Sequence, residues 1–299
     1  MTEAKGQPDA GVMGRYQHIL RHRLLMMGVL ALAILGSLLL DFTMGPSGLS
    51  LSSLWQTLLD PAAADAGTRV IVWDIRLPYA LMAVVVGFAL GLAGAEMQTI
   101  LNNPLASPFT LGVSSAAAFG AALAIVLGIG IPGIPDQWFI SANAFIFALF
   151  AALMLDGITR WTRVATSGVV LFGIALVFTF NALVSMMQFI ASEDTLQGLV
   201  FWTMGSLARA SMLSALAVAF VGPIGFIGLV APHIARMIFG EDHRFYLPAS
   251  ALIGALVLSM ASVASKNLVP GVIIPVGIVT SLVGVPFFLS IILRHRGNV

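Results

Sequence analysis

Between Arg163 and Glu193 the chain carries no charged residue, and most of that stretch is Val, Leu, Ile, Phe, Met and Ala. Few folds are open to such a segment. About 20 apolar residues in a helix rise about 30 Å, the thickness of a bilayer's hydrocarbon core. Comparable runs recur along the chain. We read spans at 24–41, 77–101, 110–131, 138–157, 167–190, 246–265 and 275–293, with a shorter apolar helix at 226–239. Lipid offers no partner to backbone N–H and C=O groups, so each run must satisfy them internally as a helix. Strands of a membrane barrel would be short and alternating, whereas these runs are continuous. The expected fold is all-α: a polytopic transmembrane helix bundle.

Composition agrees. Charged residues make up 9% of the chain, against about 25% in soluble domains. Hydrophobic residues make up 59%, and the mean hydropathy is +1.01. A chain this poor in charge cannot cover a surface facing water, so membrane lipid must cover it. The net charge of +1 offers no field for nucleic acid. Cysteine is absent, which excludes disulfides, thiolate metal sites and cysteine nucleophiles. The polar residues 1–23 lack a small-residue cleavage site after the first apolar run, and read as a cytoplasmic tail before a retained first helix. Residues 24–299 form one transmembrane domain.

Lys and Arg set the expected orientation. With the N-terminus inside, Lys5, Arg15, Arg21, Arg23, Arg160, Arg163, Arg236, Arg244, Arg294 and Arg296 fall on the cytoplasmic side. Arg69, Arg76, Arg209 and Lys266 fall outside. Both termini are then cytoplasmic, and 42–76 is the long external segment, with Trp55 and Trp73 at headgroup depth.

Small residues cluster inside spans, as in "GFALGLAGA" at 87–95, "SSAAAFGAA" at 114–122 and "ASALIGA" at 249–255. Such faces let helices approach closely in lipid. Ordinary helix packing is the first reading, and a tightly packed translocation core the second.

Two stretches break the apolar pattern. In "EMQTILNNPLASPFTLGVSS", 96–115, Pro104 and Pro108 cannot continue a helix, and Asn102 and Asn103 can satisfy the backbone groups that are freed. Glu96 lies about one turn before that break, where a carboxylate at membrane depth would invite a functional reading. Its place near the cytoplasmic end equally suits snorkelling or a helix-capping partner. In "GPIGFIGLVAPHIARMIFGEDHR", 222–244, Gly222, Pro223 and Pro232 fragment the helix, and His233 and Arg236 share one face. A metal site would need several converging ligands, and His233 stands alone on its helix. Phosphate-loop, dinucleotide-binding, zinc-protease and serine-hydrolase motifs are all absent, so neither a cofactor site nor a catalytic site is expected. Any ATPase must be another chain.

The same stretches carry a resemblance. "RLP" at 76–78, "GLAGAEMQTILNNPLASPFTLGVSSAAAFGA", "FWTMGSL" at 201–207, "GPIGFIGLVAPHIARMIFGEDHRFYLPASALIGA" and "PVGIVTSLVGVPFFLSIILR" resemble, in order, the FecCD family of permease subunits of ABC importers. The resemblance covers about 24–210 and 212–296. It implies a permease for a ferric siderophore, haem or cobalamin, and "NNPLASPFTLG" is similar to the siderophore members. It also implies a second permease copy or paralogue, a pair of cytoplasmic ATPase subunits, and an external substrate-binding protein. Basic residues on the family's outer face meet acidic residues of that binding protein. Arg76 and Lys266 match two such positions, and Tyr79 replaces a third.

The family has ten spans, and the resemblance implies about eight here. "SLARAS" runs almost directly into "MLSALAVAFVGPIGF", so roughly 50 residues of the family plan are missing near Ser211. Met212–Val221 is too short to cross a bilayer. It is expected to be a half-span on the outer side, shielded by protein. The missing loop is the one that docks on the ATPase. Two further readings stand beside the importer: a transport-incompetent scaffold paired with an intact permease, and a secondary transporter. The second is disfavoured by the scarcity of buried carboxylates and lysines.

Overall fold

The computed structural model describes residues 10–129, 136–162, 165–207 and 222–296. The half-span expected at Met212–Val221, and Arg209 beside it, lie outside the described residues.

Among the described residues eleven α-helices follow one another: α1 Ala10–Thr43, α2 Leu51–Leu59, α3 Ala66–Val70, α4 Leu77–Ile100, α5 Val113–Leu127, α6 Asp136–Thr162, α7 Thr166–Ile190, α8 Glu193–Thr203, α9 Ile227–Phe239, α10 His243–Asn267 and α11 Val276–Arg296. Among the described residues, five helical stretches are long and apolar enough to cross a membrane, and three shorter apolar helices accompany them. This is the multi-pass bundle that the apolar runs predict.

Three boundaries differ from the sequence reading. Helix α1 begins at Ala10, inside the expected polar tail. Its first turns carry Arg and His, which a helix tolerates well outside the apolar layer. The segment 42–76 is not irregular. Ser50 caps α2 by accepting from the Ser53 N–H at 3.1 Å, and Asp65 caps α3 by accepting from the Thr68 N–H at 2.9 Å. Residues Ile71–Arg76 then form a π-helical turn that joins α3 to α4 without a break. Pro78 lies in the first turn of α4, where its missing N–H costs little. Helix α5 starts at Val113 rather than Thr110, because Thr110 is bonded into the preceding loop.

Helices α1 and α10 run parallel. Ser37 donates to Ser259 at 2.6 Å, and near the other end Arg23 pairs with Asp242 at 3.2 Å. Helix α4 runs antiparallel to α10 along a seam of small residues. A Cβ on Gly87 would fall against the Gly254 carbonyl, and one on Gly91 against the Ser250 carbonyl. Only residues without bulk allow this approach, so the small-residue faces at 87–95 and 249–255 are packing faces. The third, at 114–122, packs α5 on α6, where Gly120 meets the Asn143 carbonyl. A core of Tyr79, Met82, Val86, Ile227 and Leu258 binds α4, α9 and α10. Another, of Leu111, Ala116, Ala151, Val169 and Phe180, binds α5, α6 and α7. The bundle thus has an Arg23 end and a Lys266 end.

Candidate functional site: broken helices within the bundle

Helix α4 ends where Asn102 adopts a left-handed conformation, φ 43°, which Asn tolerates better than most residues. Asn103 then accepts from the Leu105 N–H at 2.9 Å. Ser107 and Thr110 exchange backbone-to-hydroxyl bonds at 3.0 and 3.2 Å. These local bonds replace the helix ladder that Pro104 and Pro108 interrupt. Pro104 is exposed, while Pro108 turns back into the bundle against Gly228. Leu111 and Gly112 pack on Gly173 and Leu176, about two turns into α7. Helix α5 therefore starts inside the bundle.

Helix α9 also starts inside. Gly228 lies against Leu90 and Gly94, past the middle of α4. Three chain breaks meet close by. Gly205 and Gly222 have φ of 68° and 73°. A Cβ on Gly205 would strike the Pro223 carbonyl, and one on Gly222 the Trp202 carbonyl. Glycine is required twice over here, for the backbone angle and for the space. The Gly277 N–H donates to the Gly205 carbonyl at 3.0 Å, which ties in the start of α11. Gly222 and Pro223, read from sequence as a stop, are the crossing point of these segments. Irregular backbone at such depth is tolerated only where protein buries it or a cavity adjoins it. A cavity of about 210 Å³ does adjoin it, lined by Val86, Leu90, Ser114, Phe145, Trp202 and Pro223 among others.

Pro232 sits in the interior of α9 and is buried. It has no N–H to give to the Gly228 carbonyl four residues earlier. The Gln98 side chain of α4 supplies the donor instead, Nε2 to the Gly228 oxygen at 3.4 Å. The Tyr246 hydroxyl donates to Gln98 Oε1 at 3.4 Å and accepts from the Arg236 guanidinium at 3.2 Å. Arg236 in turn lies 3.7 Å from Glu241. Sequence reasoning missed Gln98 and Tyr246. Both are 2% exposed, and a lone Gln in an apolar helix was the available signal.

Arg76 and Lys266 require a correction. They were expected to face outward, yet they are 5% and 9% exposed and turn onto the end of α1. Arg76 donates to the Thr43 carbonyl at 2.8 Å and to the Ser47 hydroxyl at 2.6 Å. Lys266 donates to the Asp41 carbonyl at 2.9 Å and pairs with its carboxylate at 3.0 Å. Ser262 donates to that carboxylate at 2.8 Å, and the Lys266 ammonium lies 4.4 Å from the Tyr79 ring centre. The last carbonyls of a helix lack partners and carry its negative dipole end, so two cations are well placed there. Asp41, fully buried at the end of an apolar run, was legible as an intramembrane carboxylate but was not singled out.

Glu96 is exposed. The His233 ring packs edge-to-face on Phe287 with centroids 6.0 Å apart. Among the described residues no three His, Cys, Asp or Glu side chains converge as metal ligands would.

The family model for the FecCD transport family matches residues 29–212 and 207–294. This chain belongs to the FecCD transport family. Its relatives include the hemin transport system permease protein HmuU of Yersinia pestis, 34% identical over 327 positions that take in 91% of this chain and 96% of that one. The vitamin B12 import system permease protein BtuC of Vibrio vulnificus is 30% identical over 75% of this chain and 82% of its own length. A solved ABC transporter in an inward-facing conformation shares the fold, with TM-score 0.75 at 24% identity over 90% of this chain and 99% of that one. The two pieces of the family match meet at 207–212. The alignment with the Yersinia protein, at 327 positions, is longer than the 299 residues here, so relatives carry residues that this FecCD chain lacks.

Proposed function

We propose that the chain is the transmembrane permease subunit of an ABC importer in a bacterial cytoplasmic membrane. It pairs with a second permease copy or a paralogue, and the path for substrate lies where its broken helices meet. The cargo is a metal chelate, with an iron chelate such as a ferric siderophore or haem as first candidate and cobalamin as second. An external binding protein delivers it, and separate cytoplasmic ATPase subunits supply the energy. The observation that carries this reading is the family match through both halves of the chain. The names of its relatives support the cargo class, since haem and vitamin B12 are both metals held in large organic ligands. The test is uptake of labelled ferric siderophore, haem and cobalamin into proteoliposomes that also hold the cognate ATPase and binding protein. Uptake of none of them, with both partners bound, would overturn it.

The alignment gap favours a second reading. If the absent positions include the loop that docks on the ATPase, this chain is a membrane scaffold beside an intact permease. Co-expression with the ATPase separates the two, comparing this chain with a version in which a relative's intervening segment is inserted near Ser211. ATPase recovery only with the inserted version supports the scaffold.

A further inference from the structure

The proline inside α9 is bracketed on both sides. Gly228, Pro232 and Arg236 are spaced four apart and so share one face of the helix. That face looks onto Gln98 of α4 and Tyr246 of α10. Gln98 holds the carbonyl that Pro232 leaves free, and Tyr246 holds Arg236 one turn past the proline. The two holding side chains are themselves joined, hydroxyl to amide oxygen, at 3.4 Å.

We propose that Gln98 and Tyr246 are positioning residues that splint α9 across Pro232. They set the angle between its inner turn, at the crossing of the broken segments, and its outer turns at the Arg23 end. A proline-broken helix without such a splint is free to bend, because the lost bond leaves a hinge. The outer turns carry Arg236, and Glu241 and Asp242 follow in the next loop. Under the importer reading, on which this functional role rests, that end faces the ATPase. A push there moves the inner turn only if the splint keeps α9 rigid. Gly228 is pinned against Gly94 by close backbone contact, so the outer turns are the part that would swing.

The experiment uses the full chain in lipid nanodiscs. The chain has no cysteine, so pairs of introduced cysteines can carry spin labels cleanly. One pair joins Met237, on the outer turns of α9, to Leu268 at the far end of α10. The reference pair joins Ile100, at the end of α4, to Leu268. All three positions are exposed, at 69%, 57% and 76% for Met237, Leu268 and Ile100. In Tyr246→Phe, which removes one hydroxyl and keeps the ring, the 237–268 distance distribution should shift or widen while 100–268 stays unchanged. Gln98→Leu should do the same. An unchanged 237–268 distribution in Tyr246→Phe overturns the splint, even if Gln98→Leu fails to fold. Equal widening of both pairs also overturns it, because that marks general loosening. The measurement needs no ATPase and no substrate, so failure of the importer reading would leave it standing.

Discussion

The ammonium of Lys266 reaches both the backbone carbonyl and the carboxylate of Asp41, at 2.9 and 3.0 Å, and so locks the end of α10 onto the end of α1. Both side chains are buried, at 2% and 0% exposed. Removing one partner of a buried pair strands the other charge, at a cost of about 3–5 kcal/mol. Asp41→Leu and Lys266→Met should each lower the detergent-solubilised thermal midpoint sharply. The two substitutions combined in one chain should recover much of the loss, as uncharged groups need no partner there. Equal losses for the single and double variants would argue against a coupled pair.

The α4–α10 seam predicts a contrast among glycines. Gly254→Ala puts a methyl against the Gly87 backbone, and overpacking of this kind costs about 1–3 kcal/mol. A Cβ at Gly36, in α1, meets nothing within 4 Å. Gly36→Ala should be neutral or gain about 0.5–1 kcal/mol from helix propensity. Unfolding in mixed micelles reads the difference.

Orientation follows from the charge bias and the importer reading. A cysteine replacing Leu59, on α2 and 81% exposed, should react with an impermeant thiol reagent added to intact cells. One replacing Arg244, at the opposite end, should react only after the membrane is opened. The reverse pattern would place both termini outside.

Asp65 gives a pH dependence confined to the segment between α1 and α4. Its bonds to Thr68 at the start of α3 hold its carboxyl below the ordinary value of 3.8. A depressed carboxyl stabilises the fold above that value, and its contribution is lost as pH falls through the folded value. Amide exchange in α3, corrected for the intrinsic pH dependence, should therefore lose protection in that acid range. Asp65→Asn keeps an acceptor and should remove the pH dependence.

Much of the bundle is legible in the order of residues alone. Charge-free runs of the length between Arg163 and Glu193 leave no choice but helices in lipid, and Pro104, Pro108, Gly222 and Pro223 all mark real breaks, whereas α9 runs on through Pro232. The burial of Arg76 and Lys266 was not legible. Their place at span ends was correct, but whether a cation there turns out or in depends on what stands beside it. What stands beside it is the end of α1, more than thirty positions before Arg76 and more than two hundred before Lys266 in the chain. Asp41 carried a visible signal, a carboxylate ending an apolar run, which pointed to the same place.

The sequence by itself determined that the chain crosses a membrane as helices, where those helices fail, and which family it belongs to, because these follow from local hydrophobicity, from the chemistry of proline and glycine, and from motifs read in order. Tertiary structure alone decided which distant group repairs each failure. Proline announces that a carbonyl is freed, but the donor comes through space. Gln98 meets Gly228 across 130 positions of chain only because Gly94 lets α4 and α9 touch backbone to backbone.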